Sequence, residues 1–149
     1  MGAWGVSVFQ DDSGFDWLDK FCRSRKPVEL LQSAISKVLD NDTFIGYTEA
    51  AAALTAAEVV AACLGEPSDS YPEENYFRDE WMDEDDRAPR PDLRRIGRMM
   101  PAELTEQSIA VVEKIKTFEG CELRIFWQDS PQYAEWQAGL DDLTERLSD

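Results

Sequence analysis

The chain has 149 residues, 43% of them apolar, which is enough for one domain with its own core. Its 31 acidic residues outweigh 15 basic ones, giving a net charge of −16; that balance opposes binding to nucleic-acid phosphates or anionic membranes and favours basic proteins. Histidine is absent, which excludes Ser-His-Asp and Cys-His catalysis and histidine-based zinc sites.

Residues 1–12 are rich in glycine and aromatics and are expected to form an ordered arm with Trp4 and Phe9 in the core. Asp12 or Ser13 then reads as a helix N-cap, and Ser13 with Asp16 has capping-box spacing. Phe15, Leu18 and Cys22 share one face of this first helix, with cations toward its far end, where the helix dipole favours them. Pro27 suits the first turn of a second helix, along which Val28, Leu31, Ile35 and Val38 recur at helical spacing. Asp40-Asn41-Asp42 ends it, and Asn41 is expected to take a left-handed conformation there. A third helix over about Tyr47 to Leu64 is rich in alanine and apolar nearly all round, so it is expected at the centre of the fold, with Gly65 as its stop.

The pattern then breaks. Ten carboxylates fall between Glu66 and Asp86, opposed only by Arg78, and the next stretch carries Arg87, Arg90, Arg94, Arg95 and Arg98 against Asp92. Pro67, Pro72, Pro89 and Pro91 prevent a continuous helix. Residues 66–92 are therefore expected to form a long acidic excursion, with a short helix around Glu73 to Met82.

Beyond it, Leu93 to Met100 reads as a short basic helix, and Pro101 opens a longer one with Leu104, Ile109, Val111, Val112, Ile115 and Phe118 on its buried side. Cys121 to Gln128 fits strand or helix; helix is favoured because a single strand would lack a partner. Ser130-Pro131 reads as an N-cap and first-turn pair. Tyr133, Trp136, Leu140, Leu143 and Leu147 then form the seam of a docking helix, on which Asp142 and Arg146 pair across one turn. The expected fold is all-α: one domain over residues 1–149, a compact bundle of about five to seven helices with a long acidic loop between the third helix and the C-terminal helices.

Chemical signatures are sparse. No Gly-rich run ends in Lys-Ser or Lys-Thr, and Gly2-Ala3-Trp4-Gly5 precedes no βαβ unit. Cys22, Cys63 and Cys121 show no C-x-x-C spacing and read as buried free thiols. Asp83 to Asp86 lacks the spaced ligands, central glycine and late glutamate of an EF-hand. Glu49 and Glu58 are two and a half turns apart and point to opposite faces; Glu58 is expected to be buried against an arginine. No catalytic residue, metal ligand or cofactor is expected.

The acidic excursion has two readings. It is a solvated loop whose charges fold back onto Arg87 to Arg98, or it is a contact surface. In the second reading Tyr76, Asp79, Glu80, Trp81, Asp83, Glu84, Asp85 and Asp86 bind a basic protein, since aromatic anchors flanked by carboxylates match the anatomy of interface hot spots and carboxylates accept Arg and Lys.

Met1-Gly2-Ala3-Trp4-Gly5, then Phe9, Asp11, Asp12 and Asp16-Trp17-Leu18, resemble the opening of an uncharacterised bacterial family, a domain of unknown function (4259). The stretch Ala56 to Ala62 is similar too, as is the tail with Trp127, Trp136 and Leu140 to Leu143. The acidic insert and the Arg-rich stretch depart from it. The resemblance implies a small cytoplasmic bacterial protein and transfers no catalytic residue. A cytoplasmic location is also expected from an opening without a basic start and apolar run. The expected function is a non-catalytic acidic binding module, most concretely an immunity protein that neutralises a basic toxin such as a nuclease. Two alternatives stand beside it: a carboxylate-based enzyme, with or without a metal, or a helical regulatory protein that self-associates.

Overall fold

The structure, a computed structural model, describes residues 5–72 and 91–149. Among the described residues the chain forms a short 3-10 turn, Val8–Gln10, and seven α-helices: α1 (Asp12–Cys22), α2 (Pro27–Leu39), α3 (Tyr47–Cys63), α4 (Leu93–Met99), α5 (Ala102–Thr117), α6 (Glu122–Gln128) and α7 (Tyr133–Ser148). The fold is all-α, and no helix in this range is long and apolar enough to cross a membrane. The expected position of Trp4 and the expected helix around Glu73 to Met82 fall outside the described residues.

Helix α3 is central because its sequence gives it no polar face. Ala50, Ala53, Leu54, Ala57, Val60 and Ala61 are all buried, and every other helix packs on α3. Alanine contributes helix propensity while its small side chain lets neighbours approach closely. Leu54 supplies bulk among these alanines, and its truncation to alanine would cost about 2–5 kcal/mol. Thr55 on α3 and Ser108 on α5 are buried polar residues; each hydroxyl donates to the carbonyl four residues back, Ala51 and Leu104, at 2.7 Å.

Several boundaries differ from expectation, each for a local reason. The N-cap of α1 is Asp11, in extended backbone, whose Oδ1 accepts the Ser13 N–H at 2.8 Å. Its other carboxylate oxygen takes the Tyr47 hydroxyl of α3, so a tertiary contact selects the cap. The capping box belongs to Ser7 and Gln10 on the preceding turn, not to Ser13 and Asp16. Asn41 keeps a negative φ; its Oδ1 instead accepts the N–H groups of Thr43 and Phe44, both at 3.1 Å, which turns the chain by side-chain mimicry. Gly65 ends α3 with φ +88°, a left-handed value suited to glycine. At α7 the cap is Gln132, and Pro131 stands ahead of the helix. Ser130 makes a turn there, its Oγ accepting from Gln132 N and its carbonyl from Tyr133 N.

Residues 121–128 are helical as expected, yet one residue pairs as a strand would. Ile45 donates its N–H to Gly120 O and accepts the Glu122 N–H, both at 2.9 Å, forming a single parallel bridge to Cys121. A Cβ at Gly120 would lie 2.7 Å from Thr43 O, so this close approach requires glycine. Lys114 on α5 completes the join. Its Nζ donates to the carbonyls of Leu39 at 2.9 Å and Asn41 at 2.7 Å, satisfying the C-terminal end of α2. The seam of α7 is as expected, with Trp136, Leu140, Leu143 and Leu147 buried.

Candidate functional site

Tyr76, Asp79, Glu80, Trp81 and Asp83 to Asp86, the residues the sequence marks for partner binding, fall outside the described residues. Among the described residues, the buried carboxylates are committed to the fold. Glu58, in the middle of α3, is buried and faces Arg146 of α7. Arg146 donates from Nη1 to Glu58 Oε2 at 2.9 Å and from Nη2 to Glu58 Oε1 at 3.0 Å. Its Nε donates to Asp142 Oδ2 at 2.8 Å, and Nη1 also reaches the carbonyl of Glu66 at 3.1 Å. The arginine expected beside Glu58 and the one expected to pair with Asp142 are thus the same residue. Burial pushes the Glu58 carboxyl above its usual range, and the bonds from Arg146 pull it part of the way back.

Asp11 and Tyr47 form a second buried polar pair. Burial raises the Tyr47 hydroxyl pKa, and the adjacent Asp11 carboxylate raises it further. The thiols are free: Cys22 and Cys121 are buried and Cys63 half-buried. Burial lifts Cys22 and Cys63 each to about 12, so neither is a ready nucleophile at neutral pH.

A cavity of about 260 Å³ adjoins the Glu58–Arg146 pair, bounded by the N-terminal segment, α3, Ser70 beyond it, and α7. Val6, Val8, Leu54 and Trp136 supply apolar wall. Glu135, Gly139 and Asp142 line it from α7 at spacings of four and three residues, hence from one helix face. Glu49 lies elsewhere: it is exposed and lines a different depression with Trp17, Lys20 and Lys37. Glu49 and Glu58 are therefore separate, as their spacing implies. Among the described residues no three His, Cys, Asp or Glu side chains are grouped to hold a metal ion.

Sequence reasoning did not pick out Glu135, Gly139 or this cavity. The available signal was Gly139 itself, a glycine inside an otherwise regular helical pattern. The exposed apolar side chains Phe44, Ile125 and Phe126 were likewise not anticipated as surface residues. On α4, Arg94, Arg95 and Arg98 are exposed on a short helix capped by Asp92; Arg87 and Arg90 fall outside the described residues.

A family described as a domain of unknown function (DUF4259) matches residues 2–139, nearly the whole chain. No curated protein and no solved structure matches it.

Proposed function

We propose that this chain, which belongs to the DUF4259 family, is a non-catalytic acidic binding module that captures a basic protein, most concretely an immunity-type inhibitor of a cationic bacterial toxin such as a nuclease. The observation that carries the reading is where the negative charge is spent. The two buried carboxylates among the described residues are engaged internally, Asp11 by a cap and a tyrosine, Glu58 by an arginine fork. With 31 acidic residues against 15 basic ones, at least 16 acids have no basic partner of their own within the chain. The densest acidic run is Asp79, Glu80 and Asp83 to Asp86, threaded by Tyr76 and Trp81. Fixed carboxylates mimic phosphates, compete for the basic active-site surface of a nuclease and raise the rate of encounter with it. The proposed location is the cytoplasm, where free thiols persist.

The test is co-expression with a basic toxin encoded beside this chain, scored by cell survival, together with direct binding of the two purified proteins. Protection that disappears when Asp79, Glu80 and Asp83 to Asp86 are changed to their amides supports the reading. Equal protection by the amide variant contradicts it.

A further inference from the structure

The lysines of this chain divide into two groups. Lys26, Lys114 and Lys116 pair with carboxylates, those of Glu29, Asp42 and Asp141. Lys20 and Lys37 have no ion-pair or hydrogen-bond partner among the described residues, although acids outnumber bases by 31 to 15. Both line one hollow of about 250 Å³, Lys20 from α1 and Lys37 from α2. Three helices build it, each turning one face inward: Trp17 stands three residues before Lys20, Ala34 three before Lys37, and Thr48 and Ala52 four apart on α3. The alanines leave room where the helices meet. Trp17, buried and stacked on Phe21 with ring centroids 5.4 Å apart, gives an aromatic wall. Glu49 also lines the hollow, but its carboxyl carbon lies 3.9 Å from where a Cβ on Gly46 would stand, back over the start of its own helix and paired with neither lysine. The whole lining falls within residues 5–72, a continuously described stretch.

We propose that this hollow binds a small organic carboxylate with an apolar body, of the arylacetate kind, its ring against Trp17, Ala34 and Ala52 and its charge shared by Lys20 and Lys37. Charge complementarity fixes the sign of the ligand: two unpaired ammonium groups converge on apolar wall in a chain whose overall field repels anions. Both features are then needed for binding, because neither bare charge nor bare apolar surface overcomes that field. The volume lies below the roughly 300–1,000 Å³ of drug-sized sites, so the ligand is small. The lysine stems extend the apolar wall while their heads stay in water, the usual division for this side chain. The proposal is independent of the binding-module reading, which concerns a cationic protein and other residues.

The experiment is an NMR titration of the isotopically labelled full chain with phenylacetate and, in parallel, with phenylacetamide and with acetate. Phenylacetate is expected to shift the Trp17 indole N–H and the Ala52 methyl saturably. Phenylacetamide keeps the ring without the charge and acetate keeps the charge without the ring; each is expected to bind about tenfold more weakly. Lys20→Met and Lys37→Met keep most of the stem and lose the charge. Each is expected to weaken phenylacetate binding about threefold, the scale of an exposed ion pair, and the double variant about tenfold, with the thermal midpoint unchanged because both side chains are exposed. Ala52→Leu fills the hollow and is expected to abolish the Trp17 response; the double lysine variant carries the test by itself should Ala52→Leu fail to fold. Equal binding of phenylacetamide or of acetate, unchanged affinity in the double lysine variant, or no saturable Trp17 shift with phenylacetate overturns the proposal.

Discussion

Arg146 and Glu58, 88 residues apart in sequence, meet through two parallel hydrogen bonds that join the C-terminal helix to the central one. Both side chains are nearly buried, so the pair's worth depends on its completeness. Removing one partner from a buried pair leaves the other charge uncompensated, whereas replacing both by apolar groups of similar size is often neutral. Arg146→Met is therefore expected to cost about 3–5 kcal/mol near neutral pH, measured by urea unfolding. The double variant Glu58→Leu/Arg146→Met is expected to recover most of that loss.

The same pair sets a pH dependence with a definite sign. The Glu58 carboxyl is raised above its ordinary 4.5 by burial, so its contribution to stability is complete below that value and is lost as pH rises through the folded-state value. Arg146 opposes the rise. In Arg146→Met the carboxyl is expected to titrate higher still, and the destabilisation relative to wild type is expected to shrink as pH falls from the variant's folded-state value to the wild type's, both above 4.5. Carboxyl NMR titration of Glu58 and unfolding curves at several pH values check both statements. A penalty independent of pH would contradict them.

Tyr47→Phe removes the hydroxyl donor to Asp11 and leaves a buried carboxylate oxygen unpaired. The expected cost is about 1–3 kcal/mol. The Tyr47 hydroxyl is raised by burial and then by Asp11, so its contribution is intact below the ordinary value of 10.0 and is lost as pH climbs above it. The Phe variant is expected to unfold less steeply in alkali, which thermal melts between neutral and alkaline pH will read.

Lys114→Met tests the join between α5 and the end of α2. It keeps a stem of comparable length but loses the donors to Leu39 O and Asn41 O. A loss of about 2 kcal/mol is expected, with amide exchange fastest at the α2 C-terminus. Uniform exchange across the molecule would argue that this tie is unimportant.

Gly14→Ala tests the close approach of α1 to the 3-10 turn. A Cβ at Gly14 would lie 2.1 Å from the carbonyl oxygen of Val8, with backbone rather than a flexible side chain in the way. The variant is expected to lower the thermal midpoint by separating α1 from the 3-10 turn despite alanine's better helix propensity.

The helical faces were readable because they depend on spacing alone. Leu31, Ile35 and Val38 on α2 and Leu140, Leu143 and Leu147 on α7 are buried as their periodicity implies. The central place of α3 followed from its lack of a polar side. Helix starts were less readable: Asp12 or Ser13 was expected to cap α1, and Asp11 takes that place with its carboxylate held by Tyr47, 36 residues away. Likewise, spacing identifies Asp142 as a partner for Arg146 but carries no information on Glu58, which lies on another helix. The α7 cavity was not legible because its lining comes from four separate parts of the chain.

The central claim is that fixed negative potential captures a cationic protein. Its most direct test is the affinity for the candidate basic toxin, measured by calorimetry across a series of salt concentrations, for wild type and for the variant with Asp79, Glu80 and Asp83 to Asp86 changed to amides. The account predicts that wild-type affinity falls steadily as screening increases and that the amide variant binds more weakly with a shallower salt dependence. Affinity that is insensitive to salt, or unchanged in the amide variant, would contradict it.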